Sequence, residues 1–109
     1  MIKGFKIPNT TFKVRTGDSV LDDGCSFDEG MWTTMTTDEY FKGRRVVLFS
    51  LPGAFTPTCT STQLPSFEEN YDTIKSLGID EVYCCSVNDT FVMNAWAEIL
   101  KVNNVKVIP

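Results

Sequence analysis

The fold of this chain turns on the run Val46-Val47-Leu48-Phe49-Ser50-Leu51-Pro52-Gly53-Ala54-Phe55-Thr56-Pro57-Thr58-Cys59. Its first six residues are apolar, β-branched or aromatic, and are bounded by Arg44-Arg45 and Pro52-Gly53. They predict a short strand buried on both faces, the kind that sits in mid-sheet. Pro57 holds Thr56 extended and suits a helix N-terminus, so Cys59 falls within about one turn of a helix start. A strand, a tight loop and a helix therefore meet at one sulfur.

That sulfur is well placed for chemistry. The thiolate is the nucleophile, and a free thiol with a pKa of about 8.5 is only a few per cent ionised at neutral pH. A helix N-terminus stabilises an anion by roughly 0.3 to 1 kcal/mol, and by at most about 2, against about 1.4 kcal/mol per pKa unit. Thr56 can donate its hydroxyl to the sulfur or to a substrate oxygen, and the first amides of the helix point the same way. A cation would complete the site. Arg44 and Arg45 lie at the other end of the strand, about 20 Å away at 3.3 Å per residue, so the cation must come from elsewhere. Free cysteine is also a common small core residue; the loop, Thr56 and the helix start together favour the redox reading of Cys59.

Flanking segments complete an α/β order. Residues 10–15 alternate in the manner of a strand, with Thr16-Gly17-Asp18 as a turn, which suggests a hairpin. Phe27 to Thr34 is a candidate strand in a turn-rich region. Residues 37–41 suggest a short helix, capped by Thr37 and closed near Gly43. A helix is predicted from Cys59 to Leu77, with Leu64, Phe67, Tyr71, Ile74 and Leu77 on its buried face and Gly78 as C-cap. Pro65 should kink it, because its ring opposes the Ser61 carbonyl. A strand from Glu81 to Val87, a helix from about Thr90 to Val102 with Trp96 in the core, and a strand from Val105 to Ile108 follow. Strand, helix, strand, helix, strand predicts a parallel sheet.

A length of 109 residues with a 42% apolar fraction allows one domain, 1–109, with a modest core. The net charge of −4 argues against a nucleic-acid or anionic-membrane surface. Met1 to Val14 is interrupted by Lys3, Lys6, Pro8 and Lys13, unlike a signal peptide or a membrane span, so a cytoplasmic location is expected. The four cysteines, at 25, 59, 84 and 85, have no C-x-x-C spacing and read as reduced thiols, with Cys84 and Cys85 on opposite faces of a strand. Thr62 stands where a thioredoxin-type oxidoreductase would need its second cysteine. With no histidine a zinc site is not expected, nor is any other cofactor.

Pro52, Thr56 and Cys59 fit the pattern P-x-x-x-T-x-x-C, and the chain here resembles peroxiredoxins. Phe49 to Cys59, Leu64-Pro65 with Phe67, and Ser86-Val87-Asn88-Asp89 with Phe91-Val92 are similar to the peroxiredoxin-5 subfamily, over roughly residues 10–109. The resemblance implies a thioredoxin-like fold and reduction of hydrogen peroxide and organic hydroperoxides. It makes Cys59 the peroxidatic cysteine that becomes a sulfenic acid, Pro52 its shield and Thr56 the holder of the peroxide. Phe55 and Phe91 would line a substrate pocket or a homodimer interface, and glutathione with glutaredoxin, or thioredoxin, would be the reductant. It also places two more strands, a helix, an arginine and a resolving cysteine beyond Pro109, so that the strand at Val46 to Leu51 would keep one unpaired edge in this chain. The other reading is a partner-completed binding subunit or redox sensor. Gln63 stands where many members carry His.

Overall fold

The computed structural model describes residues 4–16 and 31–109. Strands β1 (Thr11–Thr16) and β2 (Met31–Thr36) pair antiparallel, with Thr11 opposite Thr36 and Thr16 opposite Met31. The strand expected over residues 10–15 is present, but its antiparallel partner begins only at Met31, too far along for a tight hairpin at Thr16-Gly17-Asp18, and the candidate strand Phe27 to Thr34 is found at Met31–Thr36. Residues 17 and 18 of the expected turn, residues 27–30 and Cys25 lie outside the described residues.

Helix α1 (Thr37–Phe41) starts one residue earlier than expected. Thr36, not Thr37, is its cap: the Glu39 amide donates to the Thr36 hydroxyl at 3.2 Å, and the Thr36 amide donates to the Glu39 carboxylate at 2.6 Å. This reciprocal box satisfies two amides that a helix start otherwise leaves unpaired. Thr37 is buried instead, its hydroxyl donating to the carbonyls of Pro8 and Thr10.

Strands β3 (Val46–Ser50), β4 (Glu81–Cys85) and β5 (Lys106–Ile108) form a parallel sheet in the order β3-β4-β5. Among the described residues β3 is therefore an outer strand, and Leu48 is 42% exposed. The strand buried on both faces is β4. Val82 and Cys84 enter a cluster with Leu51, Ala54, Cys59, Leu64, Met93, Trp96 and Val105, while Tyr83 and Cys85 turn to the opposite face, against Tyr40 and Ile108. That is the period-two alternation of a strand covered on both sides. The apolar run at Val46 looked central because hydrophobicity reports burial and says nothing about which strand lies between two others.

The helix expected from Cys59 to Leu77 is three pieces: a π-helical turn (Cys59–Gln63), α2 (Leu64–Glu69) and α3 (Tyr71–Ser76). Pro65 is the second residue of α2, just after Leu64, whose amide closes the π turn by reaching back five residues to the Cys59 carbonyl. A wider register moves the carbonyls away from the proline ring, so the expected kink takes the form of a widened turn. The break at Asn70 has no counterpart in the apolar periodicity of the segment. The Asn70 side-chain amide donates to the Ser66 carbonyl at 2.8 Å, an acceptor that the helical backbone also uses, since the Asn70 N–H reaches the same oxygen at 3.1 Å. Leu64, Phe67, Tyr71 and Ile74 face the core, but Leu77 is 75% exposed. Gly78 at φ 94° takes the left-handed position that ends the segment.

Strand β4 stops at Cys85, short of Val87, and α4 (Thr90–Ile99) stops short of Val102. Asp89 caps α4 by accepting from the Val92 amide at 2.9 Å. Two hydrogen bonds join α4 to β1: the Arg15 amide donates to Thr90 Oγ1 at 3.2 Å, and Asn94 Nδ2 donates to the Arg15 carbonyl at 2.9 Å. Among the described residues no helix is long and apolar enough to cross a membrane.

Candidate active site

Cys59 is the first residue of the π turn and the third of a helical stretch that begins at residue 57, so the expected position near a helix start is found. It is only 4% exposed and packs with Leu51, Ala54, Leu64, Cys84 and Trp96. The loop leading to it is held from three sides. The Leu51 amide donates to the Cys85 carbonyl at 3.2 Å, extending the β3–β4 ladder by one rung. The Ala54 amide donates to Asn88 Oδ1 at 2.8 Å, and Ser86 Oγ donates to the same oxygen at 2.7 Å. Gln63 Nε2 donates to the Ser50 carbonyl at 3.2 Å, which ties the π turn to the end of β3.

Thr56 is oriented differently from the donor that its spacing suggested. Its hydroxyl hydrogen goes to the Gly53 carbonyl at 2.7 Å, so the oxygen is left to accept a hydrogen bond rather than give one. Its carbonyl accepts from the Thr60 amide at 3.0 Å, closing the first turn. Gly53 is buried, and a methyl added there would lie 3.4 Å from Thr56 Cγ2, so the glycine lets the loop pass close to Thr56. Pro52 is exposed, at the loop's outer surface. Phe55 is at φ 65°, a left-handed conformation that costs a bulky residue of order 1–2 kcal/mol, and it holds its ring 52% exposed.

The other sequence-singled residues are dispersed. Phe91, 43% exposed, meets Trp32 edge to face at 5.6 Å between centroids. Arg15 is 5% exposed, its guanidinium carbon 4.9 Å from the Trp32 ring centre and 5.1 Å from that of Phe91. Neither the burial of Arg15 nor its aromatic partners are encoded by the local alternation of β1. Arg44 Nη1 donates to the Tyr83 hydroxyl at 3.4 Å, and the Arg45 amide to Asp80 at 2.7 Å, both before β3 begins. The second thiol of the core cluster, Cys84, is pushed up to about 12 by burial and by the neighbouring Cys85 and Cys59 thiols, and burial also raises Cys85. Both stay protonated at neutral pH, as packing residues do.

The Redoxin family model matches residues 3–108. The chain belongs to the Redoxin family. Its relatives there are peroxiredoxins. One from Rhizobium etli is 50% identical over 104 residues, covering 95% of this chain and 56% of the relative. The hybrid peroxiredoxin hyPrx5 of Haemophilus influenzae is 44% identical over 108 residues, covering 99% and 40%. Among solved structures, reduced Prx3 of Vibrio vulnificus in complex with hydrogen peroxide superposes with a TM-score of 0.81 at 33% identity, covering 99% of this redoxin and 58% of that chain. The fold is thus the thioredoxin-like fold of peroxiredoxins, and this redoxin spans about half the length of the relatives it matches.

Proposed function

We propose that this redoxin is a thiol-dependent peroxidase of the peroxiredoxin-5 kind, with Cys59 as its nucleophile. One observation carries the reading: a cysteine at the opening turn of a helix, walled by core residues, with Asn88 holding the Pro52–Thr56 loop at Ala54 and Gln63 holding the cysteine's turn to Ser50 at the end of β3. The Cys59 thiolate attacks the nearer oxygen of a hydroperoxide, forming an S–O bond as the O–O bond breaks. The sulfur loses two electrons, and the leaving alkoxide or hydroxide takes a proton to depart as alcohol or water. Thr56 Oγ1, its own hydrogen held by Gly53, accepts the hydroperoxide hydrogen and orients the O–O axis. An external thiol attacks the sulfenic acid, releasing water and leaving a mixed disulfide. A second thiol then restores Cys59 and departs as disulfide. Glutathione with glutaredoxin, or thioredoxin, suits that role in a cytoplasmic setting. The exposed rings of Phe55 and Phe91 suit a substrate pocket or a homodimer contact.

The experiment is stopped-flow consumption of hydrogen peroxide by the reduced protein, with Cys59→Ser beside it. Consumption far faster than free cysteine, abolished in Cys59→Ser, is expected. A Cys59→Ser protein that consumes peroxide at the parent rate would sink the assignment.

A further inference from the structure

The sulfur that must meet a bulky reducing thiol is 4% exposed. For in-line attack on it the π turn has to open, so whatever holds that turn shut sets how often Cys59 is reachable. One of its fastenings comes from α4. Trp96 is fully buried, and its indole Nε1–H donates to Thr60 Oγ1 at 3.1 Å, on the residue directly after Cys59. The bond spans 36 residues of sequence and joins the cysteine's own turn to the middle of a different helix.

We propose that Trp96 and Thr60 form a latch that controls exposure of Cys59, with Trp96 acting as a positioning residue for the sulfur. Opening the turn carries Thr60 away and removes the acceptor from the indole N–H of Trp96, whose side chain is fully buried in one cluster with Leu64, Val82, Met93 and Val105. A buried donor that loses its partner costs more than an exposed one. The bond from Gln63 to the Ser50 carbonyl joins two residues that are at least partly exposed, while those from the Leu64 amide to the Cys59 carbonyl and from the Thr60 amide to the Thr56 carbonyl belong to the turn's own backbone. The indole bond is therefore the fastening that reaches the turn from a fully buried side chain of another element. The latch rests on the peroxidase reading for its purpose, since it decides when the oxidised sulfur can be reached by thiol, but its geometry is independent of that reading.

The test is alkylation of Cys59 by iodoacetamide in the reduced protein, followed by peptide mass spectrometry across a pH series. Thr60→Val and Thr60→Ala, both lacking the acceptor, should raise the plateau rate by about three- to tenfold, the range set by one buried hydrogen bond. Thr60→Ser, which restores the oxygen, should return the parent rate. Trp96→Phe should also accelerate alkylation, and adding Thr60→Val to it should add nothing. Parent rates in the acceptor-less variants, a Thr60→Ser protein as fast as Thr60→Val, or fully additive effects in the double variant would each overturn the latch. Hydrogen peroxide consumption judges the peroxidase reading separately, so a failure of either is identifiable.

Discussion

At the residue scale, Asn88 carries more than its place in a turn suggests. One side-chain oxygen accepts from the Ala54 amide and from Ser86 Oγ, bridging the loop before Cys59 to the end of β4. Ala54 is buried, so Asn88→Ala leaves its amide without a partner, at a cost of about 1–3 kcal/mol. The expected outcome is a fall in thermal midpoint and a slower reaction of hydrogen peroxide with Cys59. Asn88→Asp, which keeps the acceptor, should recover most of both in thermal melts and stopped flow. Equal losses in the two variants would mean that the bridge to Ala54 is not what positions the loop. The Pro52, Thr56 and Cys59 spacing was readable directly, because proline and helix-start preferences act within a few residues. The roles of Asn88, Arg15 and Trp96 were not, because each depends on a partner 34, 75 and 36 residues away respectively.

At the element scale the same division holds. Gly78 ends α3 and Asp89 caps α4 as local chemistry dictates, whereas the central place of β4 is a property of three strands together. Between those levels lies Glu68 on α2. Its carboxylate receives the amides of Asn103, Asn104 and Val105 at 2.8 to 3.0 Å, clipping the segment ahead of β5 to the helix that follows the π turn. Partial burial alone would raise its pKa; the Val105, Asn103 and Asn104 hydrogen bonds outweigh that and hold it below the ordinary value of 4.5. A group whose folded pKa is depressed contributes stability that is present above its unfolded value and is lost as pH falls through the folded one. Exchange of the Asn104 and Val105 amides, measured by hydrogen exchange, should therefore show protection above about pH 4.5 that declines as the pH is lowered further. Glu68→Gln should remove that pH dependence. A decline in Glu68→Gln identical to the parent's would assign the titration to another carboxylate.

At the scale of the whole molecule, two apolar clusters lie on opposite faces of one three-stranded sheet, with β4 feeding both. Strand β3 contributes Val47 and Phe49 to one face and Val46 to the other, Phe49 stacking on Phe67 with ring centroids 3.8 Å apart. Yet among the described residues β3 pairs only with β4. An outer strand offers unpaired backbone groups to any strand that approaches, and an apolar side chain on it lowers the barrier further. Leu48, 42% exposed in the middle of β3, is that side chain. The 109-residue chain should therefore self-associate with rising concentration in sedimentation velocity, and Leu48→Lys should suppress it, because a charge at the edge must be desolvated for another strand to dock. A surface change of this kind alters stability by only about 0.5 kcal/mol, so the thermal midpoint should stay within a few degrees of the parent's. The exposed Phe55 and Phe91 rings make the outcome decisive between two modes of assembly. Association that survives Leu48→Lys intact would locate the contact away from the β3 edge, with the exposed rings of Phe55 and Phe91 the next surfaces to substitute.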